Sequence, residues 1–283
     1  MLTWCRQALT PVETHACAVR VDGRAGGSGP RSTSPAGGGE LVPPERRLRI
    51  LQELLASGHG DRATARLCEV CAAVAGVSGA GIMLMSGDAP WGSVCNTNAV
   101  SALIEELQYT LGEGPCVDAY HHDRPVLEPD LADPITPRWL AFTPPAVKAG
   151  ARAVFGFPLR IGALRLGALN LYCDQPGPLS DGQHADALVL AEVAAQTVLM
   201  MQANAPSGRL ATELETGGDF KYVVHQASGM VAAQLNVGVG EAFARLRGFA
   251  FATDRSLEQV ADEVVGRRLR FDDLSTGDPD PVL

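Results

Sequence analysis

The sequence is short of aromatic residues, of positive charge and of long apolar runs. Aromatic residues make up 5% of the 283 residues, and the formal net charge is −9. This charge excludes a protein that coats nucleic acid along its whole length, because such a protein needs an excess of basic residues. The chain has no run near the roughly 20 apolar residues that span a bilayer. It also lacks the basic segment and following apolar run that would predict a signal peptide.

Sequence patterns of catalytic and metal sites are missing as well. There is no P-loop, no kinase signature, no Ser-His-Asp arrangement and no carboxylate pair at a spacing suited to acid–base chemistry. Cys68 and Cys71 form one C-x-x-C pair, but no second pair or nearby histidine completes a zinc site. The seven cysteines lack a framework spacing, which predicts reduced thiols in a cytoplasmic protein. We therefore expect neither an enzyme nor a metal site, and the patterns indicate no particular cofactor.

Composition divides the chain into five parts. Residues 1–42 are rich in Gly, Ser and Pro, and we expect them to be disordered because they have little apolar surface to bury. Residues 43–203 and 218–271 carry the periodic apolar patterns of two folded domains. The polar segment 204–217 is predicted to be a linker, and residues 272–283 form an acidic tail.

The first domain has the pattern of an α+β fold, with helices flanking an antiparallel sheet. A first helix is predicted to bury Leu48, and residues 80–86 form an apolar strand. Two later strands meet at Gly162-Ala163, where a leading glycine suits a type II′ turn. Residues 112–131 are predicted to be loop apart from a short strand. The central helix is expected to bury one stripe, made of Val100, Leu103, Ile104, Leu107 and Leu111.

A long helix over residues 180–202 closes this domain. Ser180 is its expected N-cap. The alanine, valine and leucine content gives the helix a broad apolar face, which predicts that it packs against a second copy of the chain. We therefore expect a homodimer.

The second domain is predicted to be a small all-α domain of three helices. Ser256 and Gln259 form a capping box at the start of the third helix. The segment 220–271 holds seven basic and five acidic residues, so it is the mildly basic part of an acidic chain. The residues expected to form its core are Ala227, Gly229, Met230, Ala242, Phe243, Leu246, Ala250, Leu257, Val260, Ala261 and Val264.

Residues 43–203 resemble a GAF domain. The resemblance rests on the order of the elements, on Gly112-Glu113-Gly114-Pro115 after the central helix, and on the paired strands containing FPLRIGALRLGALNLY. It implies a sensory domain that responds to a small molecule or a protein. The residues expected to surround its ligand pocket are Cys95, Gly112, Gly114, Cys116 and His121.

Residues 220–271 resemble an ANTAR domain. The resemblance rests on the motif residues His225 to Met230 and Glu241 to Arg247, followed by the apolar register of the third helix. A GAF domain followed by an ANTAR domain is similar to transcription antitermination regulators of actinobacterial type. The resemblance implies a dimer that binds RNA stem-loops and prevents a terminator from forming.

The side chains expected to contact RNA are mostly cationic, since neutralising phosphates drives much of the affinity. Many ANTAR domains have lysine where this chain has Ser228. Arg245 and Arg255 are expected on one exposed helix face, because positions ten apart nearly superpose. Glycine at 229, in the middle of a helix, is attributed to close packing of helices. The full set is Gln226, Ser228, Arg245, Arg247, Arg255, Arg267 and Arg268.

Two other functions stay open at this point. The three helices could form a protein–protein module that binds no RNA, and convergence of the basic side chains on one face would separate the two hypotheses. Alternatively, Cys95 and Cys116 near the pocket could act in a GAF-type methionine sulfoxide reductase. A thiol nucleophile needs a lowered pKa, which His121 or His122 could supply.

Overall fold

The computed structural model describes residues 44–56, 63–87, 89–134, 137–203, 211, 214 and 221–272. The segment predicted to be disordered, 1–42, lies outside the described residues, as do most of the predicted linker and of the acidic tail. Residues 44–203 build the N-terminal domain, and residues 221–272 build the C-terminal domain.

The described helices and strands follow the order predicted from the sequence, apart from one helix within the predicted loop 112–131. The N-terminal domain contains α1 (Pro44–Ala56), α2 (Ala63–Ala75), β1 (Gly79–Ser86), β2 (Ala89–Asn96), α3 (Ala99–Leu111), α4 (Pro115–His122), β3 (Val126–Glu128), α5 (Thr143–Lys148), β4 (Ala153–Ile161), β5 (Leu164–Cys173) and α6 (Asp181–Ala203). The C-terminal domain contains α7 (Tyr222–Leu235), α8 (Val239–Ala252) and α9 (Leu257–Val265).

The five strands form one antiparallel sheet in the order β2-β1-β5-β4-β3. Alternation along each strand separates two faces. On β1, Ile82 and Leu84 point into the core formed with α1, α2 and α6. Gly81 and Met83 point to the opposite face, where α3 crosses the sheet. The α+β fold with an antiparallel sheet flanked by helices is therefore confirmed.

Local chemistry explains several element boundaries. Gly162 has a φ of +58° in the two-residue turn between β4 and β5, as expected for a leading glycine. The hydroxyl of Ser180 accepts the N–H of Gln183 at 3.2 Å at the start of α6. By length and composition alone α6 could cross a membrane. About half of that helix is nevertheless buried, against the sheet and α2, as in a core helix.

Two local predictions were wrong. Leu48 is 57% exposed, and Ile50 is the fully buried residue of α1, because α1 packs with a different register on α6. Part of the predicted loop 112–131 is the helix α4. The two prolines at 144 and 145 lie in the first turn of α5. Proline is tolerated there because the first-turn N–H groups have no partner inside the helix.

The central helix α3 buries two faces instead of one. The predicted apolar stripe includes Ile104, which packs with Trp139 and Phe142 beside α5. The other buried face carries Ser101, Glu105 and Gln108 and lies toward the sheet. Leu103, assigned to the apolar stripe, is 37% exposed.

The C-terminal domain has the predicted three helices and most of the predicted core. The capping box at the start of α9 is present, with Ser256 and Gln259 bonded reciprocally. The predicted core residues that are buried are Ala227, Ala242, Phe243, Leu246, Ala250, Leu257, Val260, Ala261 and Val264. Met230 is only partly buried, and Gly229 is exposed.

The segment predicted to be a free linker contacts the N-terminal core. Ala211 is 2% exposed and Leu214 is fully buried. Both lie in the core that α1, α2 and α6 form with the sheet. The N–H of Ala211 donates to Oε1 of Gln202 at the end of α6. These two residues therefore attach the connection to the N-terminal domain.

Two of the cysteines expected to be reduced are joined in a disulfide. Cys68 on α2 and Cys95 on β2 are bonded, with their Cα atoms 6.0 Å apart. Among the described cysteines, Cys71, Cys116 and Cys173 carry free thiols. The prediction of a fully reduced chain is wrong for this pair because packing α2 on β2 brings together residues 27 positions apart.

Candidate functional site

The Gly112–Pro115 motif connects α3, α4 and the loop before α5. Gly112 ends α3 in the left-handed region with a φ of +67°. Gly114 has a φ of +136°, and a Cβ there would lie 2.6 Å from Cγ of Gln108. The Oε1 atom of Glu113 accepts the N–H groups of Ala141 and Phe142 at 2.7 and 2.8 Å. The motif thus holds α4 and the segment before α5 in place over the face of the sheet that α3 crosses.

Between these elements and the sheet lies a buried polar cluster made of Glu105, Gln108 and Asn170. The three residues are at most 3% exposed. Gln108 uses Oε1 to accept the N–H of Cys116 at 2.7 Å, but its Nε2 has no partner. Both oxygens of Glu105 and both polar atoms of the Asn170 amide also lack a hydrogen-bond partner. Buried polar atoms without partners are costly and rare, so this concentration points to a binding site.

Burial raises the pKa of the Glu105 carboxyl to about 8. Asn170 and Ser93 lie near enough to oppose that shift, although neither satisfies the carboxyl oxygens with good hydrogen-bond geometry. A Cβ at Gly81 would lie 2.7 Å from Oε1 of Glu105. The glycine therefore makes room for this carboxyl on the central part of the sheet.

The raised pKa predicts an unusual dependence of stability on pH. Between its ordinary pKa of 4.5 and about 8, the folded protein holds a proton on Glu105 that the unfolded chain releases. Stability is therefore lost as the pH rises through this window. In Glu105→Gln the loss should be absent, so its melting temperature should exceed that of the wild type by an increasing margin from pH 5 to pH 8.

The control for this comparison is Glu106→Gln, which makes the same chemical change at the next position, where the side chain is 44% exposed. It should follow the wild-type profile. Parallel melting curves for wild type and Glu105→Gln across this range would show that the carboxyl does not titrate as described.

The residues predicted to surround one ligand pocket do not all come together. Gly112, Gly114 and Cys116 lie around the buried polar cluster. Cys95 is in the disulfide on the opposite face of the sheet, and His121 is exposed at the end of α4. That part of the prediction is wrong, because a residue next to a strand end can face either side of the sheet.

The environment of the thiols does not favour nucleophilic chemistry. The pKa of Cys116 is raised by burial and further by the nearby Glu105. Burial also raises the pKa of Cys71 to about 12. A reactive thiol needs the opposite shift.

Sequence reasoning missed the polar cluster, although it left a signal. Ser101, Glu105 and Gln108 share one helical face at spacings of four and three, and Asn170 interrupts an otherwise apolar strand. A polar stripe on a helix that packs on a sheet indicates a buried polar site. The sequence pattern instead predicted burial of the apolar stripe of α3 alone.

A cleft of about 400 Å³ separates the two domains beside this cluster. We call it the interdomain cleft. Its lining comes from β1, β2, α3 and the C-terminal domain, namely Met83, Ser93, Asn96, Ala102, Leu103, Glu105, Glu106, Tyr109, Lys221 and Glu258. Lys221 joins the two walls, since its Nζ lies 3.4 Å from Glu106 and 2.8 Å from Glu258.

The C-terminal domain docks on the N-terminal domain through aromatic contacts. The ring of Tyr109 on α3 meets that of Phe243 edge-on, with centroids 5.6 Å apart. Nε2 of His225 donates to the carbonyl of Trp91 at 2.7 Å. Burial lowers the pKa of His225, which favours the neutral ring that donates its one N–H to this contact.

Two residues predicted to contact RNA are not available for it. The guanidinium of Arg247 lies over the ring of Phe243 at 4.6 Å and next to Gly112, and burial there lowers its pKa. Ser228 is 1% exposed, and its hydroxyl donates to the carbonyl of Val224. Position 228 is therefore buried, and Ser228 does not take the place of the lysine of many ANTAR domains as a contact to RNA.

The other predicted RNA contacts are exposed or partly exposed. Gln226 is exposed on α7, and Arg245 is exposed on α8 and paired with Glu241. Helix α8 ends at Ala252, so Arg255 lies in the following turn. The prediction that Arg245 and Arg255 share one helical face is therefore wrong.

Two of the predicted arginines, Arg255 and Arg268, lie near Glu263 at the end of α9, and Arg267 is the next residue to Arg268 in the chain. Arg255 pairs with Glu263 at 2.6 Å. The same carboxyl has its pKa lowered by its hydrogen bond with Arg255 and, more weakly, by Arg268. Arg267 is exposed next to Arg268. We call Arg255, Arg267 and Arg268 the α9 basic cluster.

Tight packing does not account for the glycine at 229. A Cβ there would meet no atom within 4 Å, and the same is true of Gly240 and Gly248 on α8. The attribution of Gly229 to close packing of helices within the domain is wrong.

Comparisons with known proteins agree with this architecture. A family profile described as GAF domain matches residues 61–202, and one described as ANTAR domain matches residues 219–265. No curated protein matches the chain. Because the GAF match spans half of the chain, it assigns the family, and the residues that follow it carry the ANTAR domain.

Several solved structures are similar at low identity. The GAF domains of phosphoenolpyruvate-protein phosphotransferases from Coxiella burnetii and Acinetobacter are each 15% identical, with TM-scores of 0.45 and 0.44. Each comparison covers 56% of this chain and 94% of the other. A type II free methionine-R-sulfoxide reductase from Thermoplasma acidophilum is also 15% identical, with a TM-score of 0.37, covering 53% of this chain and 93% of its own. The present chain belongs to the GAF domain family, and its GAF domain is followed by an ANTAR domain.

Proposed function

We propose that this protein is a cytoplasmic antiterminator that binds RNA stem-loops through its ANTAR domain under the control of its GAF domain. The observation that carries the proposal is the pairing of the two domains in one chain. A sensory domain joined to an output domain makes a signal-responsive regulator, and RNA is the partner expected of an ANTAR domain.

The surface of the C-terminal domain supports RNA as the partner. In the α9 basic cluster, Arg255 and Arg268 lie near Glu263 at the end of the helix and Arg267 is exposed beside them in the chain, so the cluster can neutralise phosphates. Phe251 on α8 is 70% exposed, and an exposed ring can stack on an unpaired base. A partial convergence of this kind favours RNA over the alternative of a protein–protein module.

The direct test uses the full chain and an RNA of two short stem-loops separated by a short linker. We expect saturable binding at low salt, with an affinity that falls steeply as salt rises, because counterions are released from the phosphates. A reporter placed behind a terminator that overlaps the second stem-loop should show read-through only when the protein is present. Lack of binding at low salt, together with capture by an acidic protein partner, would favour the protein–protein module.

We also propose that the protein acts as a homodimer. On α6, Leu188 and Leu199 are each 37% exposed and Met200 is 70% exposed, so the helix has exposed apolar surface. Such a surface on a long helix is suited to pairing with a second copy. Light scattering on the full chain should give twice the monomer mass, and a monomer at tens of micromolar would contradict the proposal.

Coupling between the domains is proposed to pass through the docked surface as well as through α6. Tyr109 and Trp91 of the GAF domain contact Phe243 and His225 of the ANTAR domain. A signal that moves α3 would therefore change the position of the output domain. Arg247 is held in this contact, so release of the ANTAR domain would expose one more cation to RNA.

A further inference from the structure

Glu105 is the acidic group of the interdomain cleft whose oxygens have no hydrogen bond of good geometry. The cleft is lined by three carboxylates, from Glu105, Glu106 and Glu258, and by one ammonium group, from Lys221. Lys221 is already placed between Glu106 and Glu258. Both oxygens of Glu105, by contrast, are buried without a hydrogen bond. The cleft therefore has more acidic than basic groups, and the carboxyl whose oxygens are unsatisfied lies at its buried end.

We propose that the interdomain cleft binds a small organic cation of the amidinium or guanidinium class, whose two N–H groups donate to the two oxygens of Glu105. This inference rests on the proposed sensory role of the GAF domain and names the class of its ligand. A planar cation with two parallel N–H donors matches a carboxylate in a bidentate arrangement. Such a pair would satisfy both orphaned oxygens at once.

The surroundings of Glu105 fit the rest of such a molecule. Met83, Leu103 and Tyr109 provide apolar walls for an alkyl or aromatic body. The Nε2 atom of Gln108 and both polar atoms of the Asn170 amide, which lack partners, lie in the same buried cluster and can bind further polar groups. A Mg²⁺ or Ca²⁺ ion fits less well, because it needs about six oxygen ligands. Within the described part of the chain, no three acidic, histidine or cysteine side chains converge on a common point.

The position of the cleft gives the ligand a way to act. Lys221 and Glu258 belong to the ANTAR domain, whereas Glu105 and Glu106 belong to α3 of the GAF domain. A cation in the cleft would attract both glutamates of the outer wall and compete with Lys221 for them. Binding would thus alter the ionic bridge that joins the two domains.

The experiment is calorimetric titration of the full chain with benzamidinium and, separately, with benzamide, which has nearly the same shape and no charge. We expect benzamidinium to bind at least about tenfold more tightly than benzamide. Glu105→Gln should remove that preference, and Glu192→Gln, which changes an exposed carboxyl on α6, should preserve it. Equal affinity for the two probes, an unchanged preference in Glu105→Gln, or no saturable binding of benzamidinium up to about 10 mM would overturn the proposal.

A second readout comes from the pH dependence of the titration. The carboxyl, whose pKa is about 8, must lose its proton to receive the cation, so affinity for benzamidinium should rise from pH 6 through pH 8 and level off above about pH 9. The groups facing Glu105 are Asn170 and Ser93 on the sheet, Cys116 on α4, and Glu106, Lys221 and Glu258 at the cleft. Glu105→Gln should not show the rise, and a rise in that variant would assign it to another of these groups. No RNA enters either assay, so a failure here is separate from a failure of RNA binding.

Discussion

Replacing both Arg267 and Arg268 with glutamate is expected to weaken stem-loop binding at least about 100-fold, because each lost charge-assisted contact costs about 1.5–3 kcal/mol. The two side chains are exposed, next to each other, at the end of α9. Reversal of their charge also places two carboxylates near Glu263, which adds repulsion toward phosphate. The slope of log affinity against log salt should fall as well, since fewer counterions are released. Mobility shifts over a salt series would measure both effects.

The matched control is Arg124→Glu with Arg160→Glu. It makes the same change in net charge at two exposed positions of the GAF domain, and it should retain most of the RNA affinity. Equal losses in the two double variants would mean that net charge, and not the α9 basic cluster, controls binding. Both double variants should fold, because exposed substitutions usually change stability by about 0.5 kcal/mol or less.

Phe243→Ala is expected to destabilise the ANTAR domain by about 3–5 kcal/mol, as deletion of a buried aromatic ring does. Phe243 is 2% exposed, and its ring contacts both Tyr109 and the guanidinium of Arg247. A three-helix domain of this size has little stability to lose. Amide exchange in α7, α8 and α9 should become fast, while the sheet of the GAF domain stays protected.

Phe251→Ala is the natural comparison, since it deletes the same ring from the same helix at a position that is 70% exposed. Its unfolding free energy should stay within about 0.5 kcal/mol of wild type. If Phe251→Ala were the more damaging of the two, the assigned register of α8 would be wrong. A loss of RNA affinity in folded Phe251→Ala would in addition support base stacking on this ring.

The elements were predictable where the sequence carries a local signal. The capping box at Ser256 and Gln259, the turn glycine at 162 and the N-cap at Ser180 each act through backbone atoms a few residues away. The cores of α8 and α9 follow from apolar spacing alone, because a three-helix domain buries one stripe of each helix. The two family resemblances combined many such local signals, which is why they could be stated from the sequence.

The candidate site was less predictable because its parts come from distant positions. Glu105 and Asn170 become neighbours only because α3 crosses the sheet above β1 and β5. Cys95 was assigned to the same pocket, yet a strand alternates faces, and its side chain points to the other side and bonds with Cys68. Helix α8 ends between Arg245 and Arg255, whereas the spacing rule assumes one continuous helix.

The sequence by itself determined the two domains, their order, the class of each fold and the acidic balance of the chain. Those properties are sums over local patterns and composition, so they need no knowledge of which elements meet. Only the tertiary structure decided which face of α3 covers the sheet, which cysteines pair, that Arg247 packs on Phe243 and that Ser228 is buried. The physical reason is that burial depends on contacts between residues far apart in the chain. Lys221 joins Glu106 to Glu258 across more than a hundred residues, and no local pattern records that approach.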